Sequence, residues 1–95
     1  MNIRYNIDAD TGLPHIYRHN VFESEVQDVI RRPLENRSGD GRSRVFLGRT
    51  RDGRYLRVIV SIDWDGQGVF VITAYDLRGK ALKALRRRMK KRGQS

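Results

Sequence analysis

The chain contains no cysteine, which excludes a disulfide-stabilised scaffold, a thiolate zinc site and a cysteine nucleophile. It also lacks a long apolar run. The longest covers four residues, 69–72, so no segment predicts a membrane-spanning helix. Residues 1–4 lack the apolar stretch of a signal peptide. We therefore expect a cytoplasmic protein with no membrane partner.

Acidic residues are absent from the C-terminal segment, residues 77–95, which holds nine of the 20 Lys and Arg residues. The preceding 76 residues hold the other eleven basic residues and all eleven acidic residues, so the net charge of +9 belongs to this segment. Segregated charge produces a directed positive field. The arginine-rich composition favours RNA, whose phosphates guanidinium groups bind at two points, or an acidic protein partner.

The length of 95 residues predicts a single domain over residues 1–95. A 3.6-residue apolar repeat predicts one helix over residues 21–32 and a basic one over residues 78–92. Four stretches predict strands because they alternate or are rich in branched residues, and residues 34–42 predict a loop. The predicted strands are residues 3–7, 44–48, 54–62 and 69–75.

The pair Asp52-Gly53 predicts a tight hairpin, and residues 65–68 predict a second turn, so consecutive strands should be antiparallel. The nearly continuous apolar strand 54–62 should lie centrally. The fold class expected is α+β, with an antiparallel sheet of three or four strands, one packed helix and a basic C-terminal helix.

His15 and His19 are the two histidines, four residues apart and followed along the chain by several arginines. RNA cleavage needs a base for the 2′-hydroxyl, an acid for the leaving oxygen, and cations for the phosphate. Each histidine alone is equally compatible with a structural role at the entrance of the first helix. Two histidines without a third ligand make a poor zinc site, so we expect neither metal nor cofactor.

The arginines of the predicted hairpin, among them Arg44 and Arg54, have two interpretations. They are either solvated charges that discourage strand aggregation or part of an anion site with His19. In the C-terminal helix, like charges at neighbouring positions repel one another, which favours an anionic partner over a purely solvated face. The candidate nucleic-acid-binding residues there are Arg86, Arg87, Arg88, Lys90, Lys91 and Arg92.

The order of several short motifs resembles the BrnT-type toxins, RelE-like ribonucleases encoded beside a DNA-binding antitoxin. Two stretches, residues 18–21 and 23–26, match a His-containing motif followed by an acidic helix. An arginine-led strand, a Gly-Arg turn and a Val-rich strand follow. These motifs correspond to residues 44–48, 52–54, 56–60, 71–75 and 78–92.

This resemblance implies a RelE-like fold and a metal-independent endoribonuclease that acts on RNA, including ribosome-associated mRNA, and binds an acidic antitoxin. His19 would be its acid or base, assisted by His15, and Arg44 and Arg54 would hold the scissile phosphate. Tyr75 stands where the family has an arginine and would donate a proton or stack on a base. Ala81 stands where the family has a glutamate. The alternative is a non-catalytic module that binds RNA or a protein through the basic helix.

Overall fold

Apolar residues at alternating positions build a five-stranded sheet in the computed structural model, which describes residues 2–93. In chain order the elements are β1 (Asn2–Tyr5), a 3₁₀ helix (His15–His19), α1 (Glu23–Arg31), β2 (Glu35–Ser38), β3 (Ser43–Arg49), β4 (Tyr55–Ile62), β5 (Gly68–Asp76) and α2 (Gly79–Lys91). The α+β class is therefore confirmed. Both predicted helices and all four predicted strands are present, with boundaries that differ by a few residues.

The strands lie in the order β1-β5-β4-β3-β2, with β4 at the centre as its apolar sequence predicts. Three neighbouring pairs are antiparallel, but β1 runs parallel to β5. The expectation of a purely antiparallel sheet was therefore wrong. Turn chemistry predicts only pairings between strands that are adjacent in the chain, and β1 pairs with the strand most distant from it in sequence.

The expectation of only three or four strands was also wrong, because part of the predicted loop 34–42 forms β2. Of the four residues of β2, only Glu35 is buried. A short edge strand with polar side chains gives no alternating apolar pattern, although its backbone pairs regularly with β3. Edge strands of this kind are kept short and polar because exposed apolar edges promote aggregation.

A β-bulge in β5 changes which side chains face each side of the sheet. Val60 of β4 pairs with Val71, whereas the preceding residue Ile59 pairs with Thr73, so β5 contains one extra residue at Ile72. As a result Val71 and Ala74, three positions apart, are both buried on the same face. In a regular strand residues 71, 73 and 75 would share a face, so the bulge turns Tyr75 to the opposite one.

The two faces of the sheet carry separate cores. On one face, α1 and the 3₁₀ helix cover a large cluster that includes Val29, Val58 and Val71. Helix α1 lies very close to β3, since a Cβ at Gly48 would be 2.9 Å from Val29 Cγ1. On the other face, Leu85 and Met89 of α2 pack against a smaller cluster. Each such fully buried side chain contributes roughly 1.5–3 kcal/mol.

Glu35 fixes the C-terminal half of α2 against the sheet. Its carboxylate accepts hydrogen bonds from Arg88 Nε at 2.5 Å, Arg92 Nη2 at 2.9 Å and Arg37 Nη2 at 2.6 Å. The side chain is only 6% exposed. The Arg88 hydrogen bond, with those of Arg37 and Arg92, outweighs burial and lowers the pKa of Glu35 from 4.5 to about 2. The basic helix is thus tied down by an internal carboxylate.

Within residues 2–93, no helix is long and apolar enough to cross a bilayer.

Replacing Glu35 by glutamine should make folding less sensitive to acid. A carboxyl whose pKa is depressed in the folded state stabilises that state above its unfolded pKa, and this contribution disappears as pH falls from 4.5 through about 2. The shift corresponds to stabilisation on the order of 3 kcal/mol. We expect Glu35→Gln to lower the free energy of urea unfolding at pH 7 by about 1–3 kcal/mol. It should also flatten the pH dependence of that free energy within this window.

Asp52→Asn is the matched control, because Asp52 is exposed at the hairpin tip and asparagine suits the turn equally well. Its unfolding profile should follow that of the original chain, in which Asp8 and Asp76 also have lowered pKa values. An unchanged acid profile in Glu35→Gln would contradict the assigned role of Glu35.

Candidate functional site

The two histidines lie on a short 3₁₀ helix whose ends are set by local sequence. Pro14 precedes it with an extended backbone, which prevents a longer helix from starting earlier. Ile16, 1% exposed, anchors its inner side in the core. Asn20 ends it in the left-handed region at φ 57°, a conformation that asparagine tolerates better than most residues. Both imidazoles therefore remain near the surface while their backbone is fixed.

His15, His19 and Tyr75 form one aromatic cluster, which we call the histidine–tyrosine cluster. The ring centroids of His15 and His19 are 5.5 Å apart, and those of His19 and Tyr75 are 5.9 Å apart. His19 therefore stands between the other two. Beside it is an open cavity of about 480 Å³, whose lining residues are His19, Asn20, Tyr75, Asp76 and Arg78. Three of the five residues expected to carry chemistry are thus brought together.

Asp8 faces the outer member of the cluster. Its Oδ2 lies 3.9 Å from Nδ1 of His15, and the same carboxylate accepts a hydrogen bond from Arg18 Nε. This hydrogen bond from Arg18 lowers the pKa of Asp8, so the carboxylate remains ionised over a wider pH range. At 3.9 Å the carboxylate places negative charge beside the His15 ring without forming a hydrogen bond to it.

Arg54 extends from the β3–β4 hairpin to the cluster, and most of its side-chain N–H groups already donate hydrogen bonds within the protein. It donates to Asp76 at 2.6 Å and to Glu25 at 3.1 Å, and also to the carbonyl oxygens of His19 and Asn20 at 3.2 and 2.6 Å. The hydrogen bond from Arg54 lowers the pKa of Asp76. Arg54 is therefore a positioning residue that ties the histidine segment to α1 and β5. Its donors leave little capacity for a phosphate.

Arg44 lies away from the cluster. It is on β3 opposite Val60, two strands from β5 and on the other face of the sheet from Tyr75. Its guanidinium donates to the Asn36 side chain at 2.7 Å and to Ser38 at 3.3 Å. The convergence expected for this arginine is not seen, because sequence alternation alone does not show which end of a strand adjoins a distant helix.

Arg57 is one of the hairpin arginines, but Arg44 and Arg54 were selected from the sequence instead of it. It pairs directly across β4–β5 with Tyr75, so the two side chains share a face with Cβ atoms roughly 5 Å apart. Among the residues the structure describes, its Nε is the one buried side-chain nitrogen or oxygen without a hydrogen-bond partner. A buried unpaired donor is costly, so Arg57 stands beside Tyr75 with hydrogen-bonding capacity that the described residues do not use. The sequence signal was a lone arginine within the apolar strand β4.

The six candidate binding residues of α2 fall into two groups. Arg88 and Arg92 bind Glu35, and the Arg86 guanidinium lies 5.2 Å from the ring centroid of Tyr55, so these three serve in part to dock the helix. The other three are exposed to solvent: Arg87, Lys90 and Lys91. The N-terminal turn of α2 adds exposed Arg78, which bonds Asp76 at the edge of the cavity.

Residues 2–93 contain no group of three or more His, Asp or Glu side chains placed to hold a metal ion. The chemistry available to the cluster is therefore that of two imidazoles, a phenol and nearby guanidinium groups. Such groups transfer protons and stabilise a phosphorane-like transition state.

Comparison with known proteins gives one match. Residues 15–76 match the family model described as Domain of unknown function (DUF4258). The matched segment begins at His15 and ends at Asp76, so it contains the whole histidine–tyrosine cluster and its Arg54 brace. No curated protein and no solved structure matches the chain.

Removing the Arg54 guanidinium should destabilise the fold strongly. In Arg54→Met, Glu25 and Asp76 would keep their partly buried carboxylates without this partner, a situation that typically costs about 3–5 kcal/mol. We expect that loss in the free energy of urea unfolding at pH 7. The hairpin provides a control in Arg51→Met, whose side chain is 87% exposed, where the change should stay below about 1 kcal/mol. Similar losses in both variants would refute the bracing role.

Proposed function

The chain belongs to the DUF4258 family, whose description assigns no activity, and from the geometry of its own site we propose that it is a metal-independent endoribonuclease. It would cleave RNA by attack of the 2′-hydroxyl on the adjacent phosphate. The observation that carries this proposal is the contact of His19 with both His15 and Tyr75, with Arg57 paired across β4–β5 to Tyr75.

The proposed reaction needs two proton transfers and no external nucleophile. One imidazole removes the proton of the 2′-hydroxyl, whose oxygen then bonds to phosphorus while the bond from phosphorus to the 5′-oxygen breaks. A second group, the other imidazole or the Tyr75 phenol, gives a proton to the departing 5′-oxygen. The products are a 2′,3′-cyclic phosphate and a 5′-hydroxyl. Because His19 is the ring that contacts both of the others, we assign it one of the two proton transfers, with His15 or Tyr75 carrying out the second.

Arg57 takes the role that the sequence suggested for Arg44 and Arg54. On the Tyr75 side of the sheet its guanidinium would bind the scissile phosphate and the charge that develops on it. Arg54 would act through the backbone of His19 and Asn20 by holding the histidine segment in place. The exposed cations of α2 would bind the RNA backbone on either side of the cut or contact the ribosome.

We further propose that the fold is RelE-like, and that this cytoplasmic chain is the toxin of a type II toxin–antitoxin pair related to the BrnT toxins. The α+β sheet followed by a basic helix supports this relation, as do the short motifs around His19. Two residues depart from that family. Tyr75, in place of an arginine, supplies an ionisable group next to His19, while Ala81, in place of a glutamate, is exposed on α2.

Loss of His19 should abolish RNA cleavage while the protein remains folded. With a structured RNA in EDTA, we expect the original chain to produce 2′,3′-cyclic phosphate ends. His19→Ala should reduce the rate by about 10²–10⁴-fold, the usual contribution of a general acid or base. Arg57→Met should reduce it by about 10²–10³-fold, as removal of a transition-state donor does.

Arg44→Met is the matched control, an arginine of the same sheet that lies outside the cluster, and it should leave the rate unchanged. Circular dichroism confirms that each variant is folded. Full cleavage by His19→Ala, or an equal loss in Arg44→Met and Arg57→Met, would contradict the proposed site.

A second function is favoured by the exposed cations of α2, namely a non-catalytic module that binds RNA or an acidic antitoxin-like protein. Arg87, Lys90 and Lys91 form an outward basic face that needs no catalytic cluster to act. Intact RNA at every protein concentration, with binding retained, would favour this function. Displacement of the RNA by a small acidic protein would indicate the antitoxin-binding form.

A further inference from the structure

A second basic concavity lies at the hairpin end of the sheet, away from the histidine–tyrosine cluster. It has a volume of about 500 Å³ and is formed by three segments, the end of α1, the end of β3 and the hairpin tip. Its lining residues are Asp28, Arg31, Arg32, Arg49, Thr50 and Arg51. We call it the arginine pocket. Four guanidinium groups therefore surround one carboxylate.

Most of this positive charge is not neutralised by the protein. Asp28 lies 3.5 Å from Nε of Arg51 and also accepts a hydrogen bond from the Arg51 backbone N–H. No salt bridge within residues 2–93 involves Arg31, Arg32 or Arg49. Like charges around one concavity repel each other, and a bound anion relieves that repulsion.

One of the unpaired arginines is held in place before any ligand binds. The Arg49 guanidinium lies 5.5 Å from the ring centroid of Tyr55, and its Nη2 would be 3.0 Å from a Cβ at Gly53. Stacking on Tyr55 restricts the Arg49 side chain before binding, and Gly53, which has no side chain, leaves room for it. An arginine restricted in this way loses little conformational entropy when a ligand binds. Arginine forks of this kind bind phosphate at two points.

Arg49 of the arginine pocket and Tyr75 of the histidine–tyrosine cluster lie toward the same end of the sheet. Arg49 is the last residue of β3 and Tyr75 the second-last of β5, with β4 between them. Two inter-strand spacings separate the strands β3 and β5, about 10 Å in all. A single-stranded RNA of several nucleotides is therefore long enough to extend from the cluster to the pocket.

We propose that the arginine pocket is a phosphate-binding subsite for the RNA backbone, outside the scissile position. This inference rests on the proposed function, because it takes RNA as the ligand. It assigns part of the RNA affinity to α1 and the hairpin tip, whereas the expectation from the sequence assigned binding of the RNA backbone to the C-terminal helix and the scissile phosphate to Arg44 and Arg54. It also gives the pocket no part in proton transfer.

The test measures how the affinity of the full chain for an all-2′-deoxy oligonucleotide, which cannot be cleaved, depends on salt concentration. Fluorescence anisotropy reports the binding. Arg31→Gln/Arg32→Gln removes two unpaired cations of the pocket. If each contacts one phosphate, the slope of log K against log salt should become less negative by about 1.4, with affinity roughly 25-fold weaker at 0.1 M salt. Should this variant fail to fold by circular dichroism, Arg49→Gln should give a change of about 0.7.

The matched control is Arg4→Gln/Arg42→Gln, which removes the same charge at the opposite end of the sheet. Arg4 pairs with Asp63, and Arg42 stacks on Trp64. Its slope should equal that of the original chain. An unchanged slope in the pocket variant, or an equal change in the control, would overturn the proposal. So would tighter, pocket-dependent binding of a poly-glutamate of equal charge, which would assign the pocket to an acidic protein.

Failure of this proposal and failure of the proposed function give different results. If His19→Ala abolishes cleavage but the pocket variant retains the original slope, the subsite is wrong and the ribonuclease function stands. If the original chain cleaves no RNA but the pocket variant shows the expected less negative slope of log K against log salt, the subsite stands and the catalytic proposal is wrong.

Discussion

Pairing between carboxylates and particular arginines is the interaction on which the rest of this structure depends. The chain has 20 basic residues and only eleven acidic ones, so the carboxylates cannot match every cation one to one. The carboxylates are used where a segment must be fixed. Glu35 holds the end of α2, while Glu25 and Asp76 hold Arg54 and, through it, the histidine segment. These ion pairs contribute more to stability than exposed ion pairs do, because their carboxylates are largely buried.

The surplus of positive charge then determines where anions can bind. Among the described residues, cations left without a carboxylate include those on the outer face of α2, Arg57 beside Tyr75 and three arginines of the arginine pocket. Arg44 and Arg42 instead contact polar side chains of β2 and the Trp64 ring. Helix α2, which lies in the segment that carries the net charge, is in part a docked structural element, because Arg88 and Arg92 both donate hydrogen bonds to Glu35. Net charge alone did not show that two arginines of this helix are bound by an internal carboxylate.

The sequence predicted those parts of the fold that depend on local periodicity. The 3.6-residue repeat located α1 and α2, and the branched residues of β4 placed it in the centre. The sequence did not predict edge strand β2, because its polar side chains show no apolar alternation although its backbone pairs with β3. For the site, His15 and His19 were singled out from the sequence because they are four residues apart. Tyr75 was selected because of the family resemblance. Choosing Arg57 over Arg44 required knowing the register between β4 and β5, which no local pattern encodes.

The extra residue at Ile72 has a consequence that goes beyond the strand itself. The bulge absorbs this residue, so both halves of β5 keep the same alternation against β4. Val71 and Ala74 therefore both reach the core, while Tyr75 stays on the side of Arg57. A regular ladder that included Ile72 would reverse the second half of the strand and would place Tyr75 and Arg57 on opposite sides of the sheet.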